Sequence, residues 1–216
     1  MNNDILRDQW TSLGIAFNSK NNVVSDPETA IISFLKSNEF PDDRKMISLI
    51  LAWLKENAKL VHIERLKSLT ENLGSFELAI LGAISLKCKK NGDLRWQTII
   101  QKVKKRNTGS PNFQIDESEF LIKKNGEDSD FAEFGIRISK IHADRPDKIL
   151  ELRRIVETNK WIHHRILFGV NMRADVATVM VLKLAESAYQ ASKFLKCSFR
   201  SASRSWNDLL MVKYNG

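Results

Sequence analysis

The sequence predicts a mainly α-helical protein, with an N-terminal helical bundle followed by a C-terminal unit of three helices. Apolar residues recur at helical spacing through most of the first hundred positions, and helix-start residues stand just before those runs. The breaks between runs are short, as in a packed bundle. At 216 residues and 43% apolar content, the chain can supply a sizeable core.

The first clear start is Asp26-Pro27-Glu28. The aspartate can accept an N-cap bond, proline loses nothing at the first helical position, and glutamate sits on the positive end of the dipole. "PETAIISFLK" is therefore helical. "PDDRKMISLILAWLKEN" follows, with Ile47, Ile50, Leu51 and Leu54 on one stripe and Trp53 in or beside it. In "LVHIERLKSLTENL", Leu60, Ile63, Leu66 and Leu73 have compatible spacing, Gly74 ends the run, and Ser75 is expected to cap "FELAILGAISLKCKK". Asn91-Gly92 breaks that helix, and Asp93 opens "LRWQTIIQKVKKR". These helices form the first domain, residues 1–106.

Residues 107–145 change character. The stretch 107–135 carries seven acids against two lysines, with Gly, Pro, Asn and Asp throughout and no helical period. It reads as an acidic linker or a short β-hairpin turning at Asn125-Gly126. Its apolar residues are expected to pack between the two domains or to pair with another chain.

The last domain, residues 146–216, is basic. From residue 137 onward there are fifteen Lys and Arg against seven acids, within a chain of 34 basic and 26 acidic residues and net charge +8. This balance favours a polyanionic partner. "RADVATVMVLKLAES" puts Val176, Val179, Met180, Leu182 and Leu184 on a broad apolar face, with Asp175 near its start. "AYQASKFLK" is a short second helix with Tyr189, Ser192 and Leu195 on or beside its inner side. "CSFRSASRSWNDLLMVK" is the third, capped by Ser198, with Ala202, Trp206, Leu209 and Leu210 facing in. Two helices crossing steeply need small residues where they touch, and Ser192, Cys197 and Ala202 fit those places. Phe199, Arg200, Ser201, Ser203 and Arg204 are left on the exposed side, where arginines and hydroxyls can reach base edges or phosphates.

The rhythm of "ASKFLKCSFRSASRSWNDLL" resembles the helix-turn-helix core of bacterial winged-helix regulators, and "RILFGVNMRADVATVMVLKL" resembles the lead-in helix of such a domain. Under a quarter of the chain is covered. The resemblance implies a DNA-binding protein, such as a transcriptional regulator or an autoregulating antitoxin, acting on double-stranded DNA. Arg200 and Arg204 would touch bases or phosphates, Ser201 and Ser203 would add secondary contacts, and Arg173, Lys193 and Lys196 would hold phosphates. Such proteins bind mostly as dimers, which makes a homodimer the expected assembly and the N-terminal domain its candidate interface, or the site of a protein partner. Two departures stand out. Lys196 occupies the turn where the family favours glycine, which predicts a positive φ. Gly216 falls where the first wing strand would begin, so the unit is read as wing-absent. The alternative is a scaffold or interaction module whose basic surface contacts no nucleic acid.

Other classes find little support. No apolar run approaches the length of a membrane helix, and "MNNDILRDQW" has no signal-peptide pattern, so a cytoplasmic protein is expected. Cys88 and Cys197 form no CxxC pair and read as free thiols on helices. His163 and His164 are adjacent and so face different sides of a helix, a poor metal pair, while His62 and His142 stand alone. No nucleophile elbow, phosphate loop or zinc motif is present, and no enzyme, cofactor or metal is expected.

Overall fold

The computed structural model describes residues 3–17, 23–37, 43–107, 113, 119–143 and 145–214. It begins with α1 (Asn3–Ser12), a helix that capping signals leave unmarked, and α2 (Pro27–Lys36), which starts as expected: the Asp26 carboxylate accepts from the Thr29 N–H at 2.8 Å. The helices α3 (Arg44–Asn57), α4 (Ile63–Leu69), α5 (Ser75–Lys90) and α6 (Gln97–Arg106) follow, joined by single 3₁₀ turns. Gly74, rather than Ser75, is the N-cap of α5, and it provides no side-chain bond. Asn91-Gly92 does end α5, with Gly92 at φ +101°, and the Asp93 carboxylate accepts from the Arg95 N–H.

The expected hairpin at Asn125-Gly126 is a helix instead, α7 (Glu119–Asn125), followed by the single turn α8 (Ser129–Ala132). The reason is local. Asn-Gly supplies a positive φ equally well to a hairpin turn and to a helix end, and here Gly126, at φ +76°, donates its N–H back to the Ile122 carbonyl at 2.9 Å. The described residues hold no β-strand, only three isolated bridges. Phe131, Phe134, Ile136, Ile138 and Ile141 then turn into the same apolar core as α1 to α6. The Phe134 ring lies so close to α5 that a Cβ on Gly82 would stand 2.4 Å from it.

The chain continues through α9 (Leu152–Thr158), α10 (Lys160–Phe168), α11 (Met172–Val181), α12 (Ala188–Leu195) and α13 (Phe199–Met211). The predicted lead-in helix is therefore two helices, broken at Gly169, whose φ is +80°, and restarted by the Asn171 cap. Among the described residues, apolar side chains gather into two cores. The larger takes residues from Leu6 to Ile162, and the smaller joins Trp161, Val176, Ala177, Val179, Ala185, Ala191, Leu195 and Leu209. Neighbours on α10 thus serve different cores: Trp161 packs into the smaller and Ile162 into the larger. Asn159 fixes the approach to α10. Its carbonyl caps the Trp161 and Ile162 N–H groups, and its amide donates to the Ser12 and Ser25 carbonyls at 2.9 and 3.0 Å.

No helix among the described residues is long and apolar enough to cross a membrane.

Candidate nucleic-acid interface

The last three helices are set by caps that the sequence carries openly. Asn171, Ser187 and Ser198 each accept a backbone N–H of the first turn that follows, from Ala174, Gln190 and Ser201 respectively. Between α12 and α13 the chain turns at Lys196, at φ 51° and ψ 48°, a left-handed conformation held by a lysine. Cys197 lies in that turn, half-buried, rather than on a helix. Ser192 and Ala202 are buried, so small side chains occupy the inner side of both helices. The inner face departs from the helical pattern at its ends. Leu184, Tyr189 and Leu210 were expected to face in or border the core, yet all three are exposed: α11 stops at Val181 before Leu184, and Leu210 lies one step past the buried Leu209.

Of the predicted contact residues, Phe199, Arg200, Ser201 and Arg204 are exposed and Ser203 is half-buried, all on the first turns of α13. Lys193 and Lys196 are exposed just before them, with the Lys193 ammonium 5.3 Å from the centre of the Tyr189 ring. The Ser201 hydroxyl is already engaged with that of Ser198 at 2.8 Å. Arg173 is partly neutralised by Asp208, with Nη2 to Oδ2 at 2.6 Å. It nevertheless meets Arg204 across a groove of about 350 Å³ that runs between α11 and α13 and is floored by Phe168 and Met172. These residues form a cationic, hydroxyl-bearing edge. They can offer forked hydrogen bonds and point charges to phosphate oxygens or purine edges.

Sequence reasoning missed a second assembly, a buried ionic cluster beneath this unit. Arg165 of α10 and Glu28 of α2 are both fully buried, as is Asp175 of α11. Arg165 uses all five of its N–H groups: Nη1 donates to Glu28 Oε1 and the Leu60 carbonyl, Nη2 to Glu28 Oε2 and Asp175 Oδ1, and Nε to Asp175 Oδ1, at 2.7–3.1 Å. Arg65 of α4 holds Asp26 at 2.6 Å and Glu28 at 3.1 Å, and its guanidinium carbon lies 4.9 Å from the centre of the Trp161 ring. His62 completes the ring, with Nδ1 2.6 Å from Asp175 Oδ2.

Burial opposes ionisation of these acids, but the guanidinium charges outweigh it for Asp26 and Asp175, whose carboxyls are held below the usual carboxylate range by Arg65 and Arg165. For Glu28, burial and the Asp26 charge prevail, and its carboxyl is pushed up despite Arg165. The cluster fastens α10 and α11 to α2 and α4. No local motif announces it, since Glu28 reads as a dipole-favoured acid and its partner lies 137 residues away. The one available signal was an ionisable residue, Asp175, directly before the apolar run Val176-Ala177 of α11.

Compared with models of protein families, with curated proteins and with solved structures, the chain matches none.

Proposed function

We propose that the protein binds double-stranded DNA through the first turns of α13. The observation that supports this most is that Arg200, Ser201 and Arg204 stand together on the exposed N-terminal half of α13, with Lys193 and Lys196 immediately before it. A helix presented by its N-terminus, preceded by a second short helix and a tight turn, has the dimensions to enter a major groove. Arg200 and Arg204 carry base or phosphate recognition in this reading. Lys193, Lys196 and the Arg173 side of the groove hold the backbone. A role as a transcriptional regulator or autoregulating antitoxin follows from the same reading.

The test is a fluorescence-anisotropy titration with random duplex DNA at two salt concentrations. Affinity should fall steeply as salt rises, and Arg200→Ala with Arg204→Ala should flatten that dependence by about two phosphate equivalents. Absence of binding at low salt would sink the proposal. A second reading, a protein-interaction module, draws on a different observation: Tyr189, Phe194, Phe199, Leu210, Met211 and Val212 expose large apolar surfaces on or next to the same two helices. It predicts that Phe199→Ser lowers self-association and that duplex DNA gives no salt-dependent binding.

A further inference from the structure

The edge formed by α12, the Lys196 turn and the start of α13 carries aromatic rings as well as cations. Tyr189, Phe194 and Phe199 are 59, 45 and 56% exposed, whereas Trp10, Trp53, Trp96 and Trp161 are buried. Large rings left in water side by side mark a contact surface. The rings of Tyr189 and Phe199 are neighbours across the turn, with centroids 6.4 Å apart and planes tilted by 58°. Phe194 lies nearly parallel to the buried Trp161 ring, at 6.5 Å and 11°, which fixes its orientation. Lys193 Nζ stands 5.3 Å from the centre of the Tyr189 ring. From Ser187 to Asn207 the sequence holds four cations, Lys193, Lys196, Arg200 and Arg204, all of them exposed, and no acid. The next acid, Asp208, is engaged by Arg173.

We propose that this edge binds single-stranded DNA, with bases laid on the Tyr189 and Phe199 rings and phosphates held by the four cations. In a duplex each base face is covered by its neighbours in the stack, so a protein meets base edges and phosphates and finds no face to set against an aromatic ring. A strand without a partner exposes those faces, and a surface that combines rings with cations captures it by stacking and charge, with little regard to sequence. The tilt of the two rings sharpens the choice. Planes 58° apart cannot both lie parallel to one continuous stack, but they accept two bases turned away from each other, which an unpaired strand can present. Lys193, beside the Tyr189 ring, sets a cation next to the first of those bases. The acid-free run of cations favours a polyanion over an apolar segment of another protein. The inference rests on the reading of this edge as a nucleic-acid contact and adds the strand form that its rings recognise.

The test is fluorescence anisotropy of the full chain with three labelled probes at one salt concentration: a short oligothymidylate, an abasic strand of the same length and charge, and a duplex. The oligothymidylate is expected to bind at least about tenfold more tightly than the abasic strand, because the two differ only in the bases available for stacking. Tyr189→Leu with Phe199→Leu keeps apolar bulk but removes the ring faces, and should bring the two strands within about twofold of each other. Tyr189→Trp with Phe199→Trp should preserve the preference. Equal binding of the two strands by the unaltered chain overturns the inference and leaves the duplex reading standing, and that comparison needs no variant. Oligothymidylate binding without duplex binding supports the inference and removes the duplex reading. The inference is also overturned if the leucine variant keeps the preference for bases, or if it sediments as a smaller assembly with its oligothymidylate affinity unchanged, which assigns the rings to a second copy of the chain.

Discussion

Arg165 and the pair Arg200 and Arg204 lie within forty residues of one another, yet they are put to opposite uses. Arg165 is stripped of water and spends every donor on Glu28, Asp175 and a carbonyl. Arg200 and Arg204 stand on the surface of α13. The contrast shows that net charge describes such a chain poorly. Buried arginines are matched by buried acids and are unavailable to a partner, so the surface potential is set by the charges left outside, Lys193, Lys196, Arg200 and Arg204 among them. It also separates structure from recognition: removing a buried arginine should damage the fold, and removing an exposed one should leave it intact.

The largest effect is expected at the buried end. Arg165→Met removes the guanidinium shared by Glu28 and Asp175, leaving Arg65 as the one arginine beside these buried acids, and should lower stability by about 3–5 kcal/mol in urea unfolding. A loss under about 1 kcal/mol would remove the distinction between the two sets of arginines.

Acid should act next, through His164. This ring is fully buried against Thr178, with Nδ1 2.8 Å from the hydroxyl, and burial, helped by His163 and Lys160, pushes its pKa down from 6.5 to about 4. As pH falls, the unfolded chain takes up this proton first. The contribution is therefore complete above about pH 6.5 and is lost progressively toward pH 4, by an amount on the order of 3 kcal/mol. Denaturation midpoints across that window should show the decline, and His164→Gln should flatten it.

At the exposed end, Arg200→Ala and Arg204→Ala should each cost about 1–3 kcal/mol of DNA affinity while moving the unfolding midpoint by less than about 0.5 kcal/mol. Parallel losses of affinity and stability would erase the contrast. The smallest effect belongs to the turn between the two helices. Lys196→Gly relieves a left-handed lysine and should stabilise the fold by about 0.5–1 kcal/mol in thermal unfolding, the gain being reduced by glycine's greater freedom in the unfolded chain.

What could be read from the sequence was what neighbouring residues decide among themselves. The Asp26-Pro27 start, the Asn91-Gly92 break, the Ser198 cap and the positive φ of Lys196 each depend on a few consecutive positions. Asn125-Gly126 shows the limit of such reading, because one dipeptide satisfies both a hairpin and a helix end. The exposed edge of α13 was legible because its residues are adjacent. The ionic cluster was not, since its partners come from α2, α4, α10 and α11, and a chain carries no local mark of which arginine will meet which acid.

The Asn159 amide and the Arg165 guanidinium make bonds that close loops of 147 and 137 residues. A ribosome delivers Ser12 and Glu28 long before it delivers their respective partners Asn159 and Arg165, and at its pace of about 5–20 residues per second the wait lasts roughly seven to thirty seconds. During that interval the early helices have only Arg65 to set against the Asp26 and Glu28 carboxylates. The arrival of α10 is therefore the step at which the nascent chain becomes a finished core, and the surface proposed to read DNA can be displayed only by molecules that have completed it.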